Sequence, residues 1–195
     1  MRYRRGLQSR TVMVLMRGVV RGVVRGVVAG VAAGMVALAA AAPARTADDK
    51  RFTVQGLSPA LAGQTLEQAQ KSLGQPLLAD KPPATPEACH YRSAASQPGV
   101  RFAVLQGRII RSETRDARYT TASGLRVGDT LARAQQLYGA RLVLGAHPYF
   151  DQGKSLVVYA GDKKHALVME TNDQGRIITL RGGRVPEVLS LEGCP

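Results

Sequence analysis

One short pattern occurs twice in this chain. "GQTLEQAQKSLG" spans Gly63–Gly74 and "GDTLARAQQLYG" spans Gly128–Gly139; they share Gly, Thr, Leu, Ala and the closing Gly. A second echo follows in the same order. "QGRII" stands at Gln106–Ile110 and again at Gln174–Ile178. The offsets, 65 and 68 positions, are nearly equal. Two ordered matches at one spacing are the mark of a duplicated supersecondary unit. The copies run over 52–115 and 119–192, and the second has room for one lengthened loop.

Each echo has a local physical reading. Thr65 and Thr130 are good N-cap residues. Leu66, Ala69 and Leu73 then fall at helical spacing, as do Leu131, Ala134 and Leu137. Gly74 and Gly139 stand where a left-handed residue ends a helix. A helix of about nine residues is not stable alone and must lie on something. "VRFAVLQGRIIRSE" supplies it, reading strand, Gln106-Gly107 turn, strand. "HALVMETNDQGRIITLRGG" repeats the hairpin with a longer turn, and "KSLVVYAGDKKHALVME" adds another through Gly161-Asp162. "ACHYRS" in copy one corresponds to "SLVVYA" in copy two. The expected class is α+β: two tandem repeats, each a short helix packed on an antiparallel β-meander. The Pro-rich stretch "ADKPPATPEA" is a loop inside copy one, and the polar "RDARYTTAS" joins the copies. Each half has only about 65–75 residues, a marginal core alone. The two sheets are therefore expected to pack side by side.

The N-terminal segment follows different rules. It holds seven Arg before position 26 and no acidic residue before Asp48. An Ala/Val-rich run follows from Val27 to Ala42, then "APARTADD". Basic, apolar, then small residues is the order of a secretory signal, here 1–44 with cleavage after Ala44. The apolar run is short of the ~20 residues of a membrane span. No Cys near the cut offers a lipid attachment point. Seven of the 27 basic side chains precede the cut, leaving 20 against 14 acidic, a net charge of +6. The whole-chain charge of +13 thus overstates any basic surface, and no nucleic-acid partner is implied. A periplasmic or secreted protein with no stable span after cleavage is expected.

Cys89 and Cys194 are the only two cysteines. An exported chain with an even count most simply forms one bridge, the other option being two buried thiols. His90, His147 and His165 show no ligand spacing, so no metal and no cofactor is expected.

A glycine–polar–threonine start, a short helix, "LG" or "YG", then a β-meander, all given twice in an exported chain, resembles the β-lactamase-inhibitor-protein-like fold. It is also similar to the small lipoprotein of the outer-membrane β-barrel assembly machine, where the unit occurs singly. The resemblance covers Gly63–Arg111 and Gly124–Gly183. The closing "GRVPEVLSLEGC" resembles the end of uncharacterised secreted bacterial proteins of two-copy layout. The inhibitor relatives imply binding through an aromatic-rich sheet face. This chain has six Tyr, three Phe and no Trp.

No nucleophile elbow, phosphate loop or HExxH occurs, and no carboxylate pair is recognisable, so the chain does not read as an enzyme. The best recognition patch is "GAHPYFDQGKS", which places His147, Tyr149, Phe150 and Asp151 in five positions. A second is the basic set Arg108, Arg111, Arg115 and Arg118 near the joint. The expected function is an exported, non-catalytic protein that recognises an envelope or extracellular protein. The alternative is a cell-envelope accessory that meets acidic polymer or lipid head groups through its basic face.

Overall fold

The structure is a computed structural model, and it describes residues 50–194. The segment read as a signal lies outside the described residues. The class is α+β, with two short helices and an antiparallel sheet of eight strands. Copy one contributes β3 (Leu78–Ala79), β4 (His90–Ser93), β5 (Val100–Leu105) and β6 (Arg108–Thr114). Copy two contributes β8 (Val143–Ala146), β9 (Lys154–Tyr159), β10 (His165–Thr171) and β11 (Ile177–Arg184). The order across the sheet is β3-β4-β5-β6-β11-β10-β9-β8. That order is its own mirror, copy for copy. The copies do not form two sheets side by side. They join into one, through β6 and β11, with Glu113 opposite Arg181 and Ser112 opposite Gly182.

The structure explains why these motifs are the ones that recur. Helices α1 (Leu66–Leu73) and α2 (Leu131–Tyr138) both begin at a threonine whose Oγ1 accepts a backbone N–H, from Gln68 or Arg133. In α1 the Gln68 side chain returns the bond to Thr65 N–H, completing a capping box. The turn before each helix then bonds the repeated hairpin. Gly63 N–H donates to Ile109 C=O, and Gly128 N–H to Ile177 C=O, both at 2.8 Å. Leu66 N–H donates to Gly107 C=O, and Leu131 N–H to Gly175 C=O, both at 2.9 Å. The two echoes in the sequence are therefore two sides of one contact, made once per copy.

The helices cover one face of the sheet. Ala69, Ala134 and Tyr138 join Phe102, Val104, Ile109, Leu156, Val158, Leu167, Met169 and Leu180 in the main core. Gly74 ends α1 in the left-handed region, as the C-cap reading requires. Gly139 does not; its φ of 52° is paired with ψ of −132°, and the chain continues as a 3₁₀ turn, Gly139–Arg141. The turn at Gln106-Gly107 has φ of 51° and 70°, the pair of positive values a tight two-residue hairpin needs.

A second, three-stranded sheet was not legible in the sequence. It consists of β1 (Arg51–Thr53), β2 (Gly56–Leu57) and β7 (Thr120–Thr121), in the order β2-β1-β7. Strand β7 lies in the stretch read as a linker and pairs parallel with β1. This small sheet sits over the joint between copies. Leu57 N–H donates to Ser112 Oγ at 2.7 Å, and Gly183 N–H to Val54 C=O at 3.0 Å. Gly182 has to be glycine here. A Cβ on it would stand 2.2 Å from the Thr53 carbonyl oxygen and 2.7 Å from Gly56. Gly182→Ala should therefore cost about 1–3 kcal/mol, since backbone must move to admit the methyl group. Urea unfolding of the variant checks this; an unchanged midpoint would show that the small sheet is not tightly seated.

Candidate interaction face

The other face of the large sheet is crossed by 185–194. We call this segment the strap. Val188 in the strap is fully buried against Ala166 and Val168, with Val157, Val185 and Leu189 around them. Beyond it Cys194 is bonded to Cys89, just before β4, with Cα atoms 5.2 Å apart. The strap thus spans from the β11 end to the β4 side of the sheet.

Beneath and beside it lies a row of buried charge. Arg111 is 2% exposed. Its Nη1 donates to the carbonyls of Ser190 (2.6 Å) and Glu187 (3.2 Å). Its Nη2 donates to Tyr91 Oη at 2.6 Å and meets Glu113 Oε2 at 2.7 Å. Arg101 takes the other oxygen of Glu113 and lies 4.1 Å over the Tyr91 ring, a cation–π contact. On the copy-two side Arg181 Nη2 donates to Glu170 Oε1 at 2.7 Å, both groups buried. His147 Nε2 is 4.0 Å from Glu170 Oε2. A cavity of about 210 Å³ sits under the strap, lined by Ala103, Leu105, Ile110, Arg111 and the cystine.

The residues singled out from the sequence fall into different places. His147 is buried, not displayed; its Nδ1 accepts the Tyr149 N–H at 3.1 Å and its ring packs 4.8 Å from Phe150. Phe150 is half-buried. Tyr149 is 67% exposed, and its hydroxyl donates to Glu192 of the strap. That bond pushes the Tyr149 phenol above its ordinary value, because ionisation would set two negative oxygens together. Asp151 is exposed at the tip of the β8–β9 hairpin.

The basic set is likewise divided. Arg111 cannot belong to an accessible basic face, because the strap encloses it. Arg108 is exposed, but its Nη1 donates to Gly63 C=O, as Arg176 does to Gly128 C=O in copy two. Its recurrence in "QGRII" has that structural cause. Arg115 is exposed. Arg118 pairs with Asp116, its Nε donating to Oδ2 at 2.8 Å. The Arg118 side chain, and then its backbone N–H, hold the Asp116 carboxyl below the usual aspartate range.

Sequence reasoning missed Tyr91, Glu113, Glu170 and Arg181. It also missed strand β8, whose four residues are all exposed. Among the described residues, the large apolar side chains left exposed are Leu78, Val143, Leu144, Tyr149 and Tyr159. Four of these five lie between 143 and 159, at one end of the sheet. No group of three or more His, Cys, Asp or Glu among the described residues is placed to share a metal ion. No helix among them is long and apolar enough to cross a membrane.

No family model matches this chain, and no curated protein matches it. Two solved structures are similar to it at a distance. One is the uncharacterized protein yfeY from Escherichia coli, with 12% identity and a TM-score of 0.44, over 69% of this chain and 99% of that one. The other is an extracellular protein containing a SCP domain from Bacillus anthracis, with 7% identity and a TM-score of 0.44, over 70% of this chain. The match spans 48% of the Bacillus chain. These likenesses show nothing about β-lactamase inhibitors or the barrel-assembly lipoprotein, and the resemblance to those remains one of motif order. Likenesses this distant say nothing of function.

Proposed function

We propose that this is an exported, non-catalytic protein that recognises another protein of the cell envelope or extracellular space. The reading places the contact at the β8–β9 end of the sheet. One observation carries it: four of the five exposed large apolar side chains, two of them tyrosines, come from that single stretch. Clustered apolar and aromatic side chains on an otherwise polar surface suit a protein interface. The non-catalytic part is supported by the buried acids, since Glu113 and Glu170 are already held by arginines. Export rests on the N-terminal segment, with cleavage after Ala44, and on the cystine.

A cleft of about 410 Å³ lined by Lys50, Arg51, Arg118 and Thr120 favours the second reading, contact with acidic polymer or lipid head groups. One crosslinking pull-down from envelope extract separates the two. Wild-type protein should capture a partner at low and high salt, and Tyr149→Ala/Tyr159→Ala should lose it. Capture that collapses with salt points to the basic cleft instead. Capture unchanged by the double substitution removes the tyrosine end as the contact.

A further inference from the structure

The two edges of the large sheet occupy equivalent places in the two copies, yet they are built differently. The copy-one edge, β3, is two residues long and runs into Asp80, Lys81, Pro82 and Pro83. Shortness, charge and proline are the usual means of keeping an edge from pairing. The copy-two edge, β8, has none of them. It is Val143-Leu144-Gly145-Ala146, uncharged, exposed, and without proline. Val143 is 53% and Leu144 46% exposed.

The direction of its backbone groups follows from the ladder. In an antiparallel pair, residues that bond the neighbour alternate with residues that point away. Val143 faces Val157 and Gly145 faces Ser155, and His147 N–H donates to Gly153 C=O at 3.1 Å. The odd-numbered residues therefore bond β9, and Leu144 and Ala146 point their N–H and C=O groups outward.

We infer that β8 pairs antiparallel with β8 of a second copy of this chain, making one sheet continuous across a two-fold axis. A two-fold axis normal to the sheet keeps each face on its own side, and an axis placed at Leu144 brings it against Leu144 of the second copy. That register sets bulky Val143 against Gly145, and Leu142 against Ala146. Large meets small on the strap face, and leucine meets leucine on the helix face. The outward groups match as well. Leu144 exchanges two bonds at the axis. Leu142 N–H is already held by Gly139 C=O at 3.1 Å, but its carbonyl is left to accept the Ala146 N–H of the second copy. No like charges are brought opposite one another. This self-complementarity is what selects a second copy as the occupant. The pairing rests on the backbone edge and on Val143 and Leu144, and does not depend on the tyrosine contact tested above.

Sedimentation velocity over a roughly hundredfold concentration range is the test, because a reversible dimer obeys mass action. Wild-type protein should shift from monomer to dimer. Ala146→Pro removes an outward donor without touching the β8–β9 bonds and should leave a monomer of near wild-type stability. Leu144→Lys, which sets two cations at the axis, should do the same. Independently of any variant, hydrogen exchange at the Leu144 and Ala146 amides should slow as wild-type concentration rises. A wild-type monomer at every concentration overturns the proposal, as do two variants that dimerise like wild type. Wild-type amides protected only when envelope extract is added also overturn it, in favour of a foreign strand on the same edge.

Discussion

Reducing the Cys89–Cys194 bond should lower stability by about 4–5 kcal/mol, the loop-closure entropy released when a tie across 105 residues is cut. The effect should not be spread evenly. The bond anchors the far end of the strap, whose other fixings are Val188 in its apolar seat, the carbonyls that Arg111 holds, and the Tyr149–Glu192 contact. Without the bond, amides of 190–194 should lose exchange protection before those of β10. Urea titration of Cys89→Ser/Cys194→Ser beside the oxidised protein measures the first quantity, and hydrogen exchange the second. Two titratable thiols in the unfolded, unreduced protein would refute the bond itself.

Glu170→Gln should cost about 3–5 kcal/mol, because it leaves the Arg181 guanidinium buried without its counter-charge. Both side chains are buried, and the Arg181 Nε–H has no hydrogen-bond partner among the described residues. The pair is thus already short of full satisfaction, and removing the carboxylate leaves little to compensate. Glu170→Leu/Arg181→Met should restore most of the loss, since an apolar pair of similar volume avoids desolvating either charge. A double-mutant cycle gives the coupling directly. A single-substitution cost below about 1 kcal/mol would mean that water reaches the pair and that the strap face is open.

The helices and hairpins were legible because each is declared locally. Thr65 and Thr130 cap, Gln106-Gly107 turns, and Val100, Phe102 and Val104 alternate along β5 into one core. What escaped was set by distant contacts. "RIIRSET" reads as a strand with charge toward water, and on that reading Arg111 belongs to a basic surface. The strap overrides it, and the strap has no periodicity to announce itself. The one available signal was the cystine, since a bond from Cys194 to the residue before β4 requires 185–193 to cross the sheet. Strands β1, β3 and β7 are two or three residues long, too short for an alternation to show. Gly139 failed as a left-handed cap because a 3₁₀ turn follows it where α1 simply ends. In the candidate patch, proximity of His147 to Tyr149 in sequence said nothing of exposure. The His147 ring lies buried, with Nε2 4.0 Å from Glu170 Oε2, while the tyrosine stays out.

The joint between β6 and β11 bears on how the chain acquires its structure in time. A nascent chain that has produced copy one holds β6 with one side of its backbone ladder empty, and the strand that fills it is the last of the sheet to be made. Arg111 waits similarly, for a carbonyl 79 residues downstream. Contacts this far apart in sequence favour slow folding, and an open ladder invites pairing with other chains meanwhile. The duplication is therefore visible in sequence and geometry, yet the ladder of copy one is closed only when the last strand of copy two arrives.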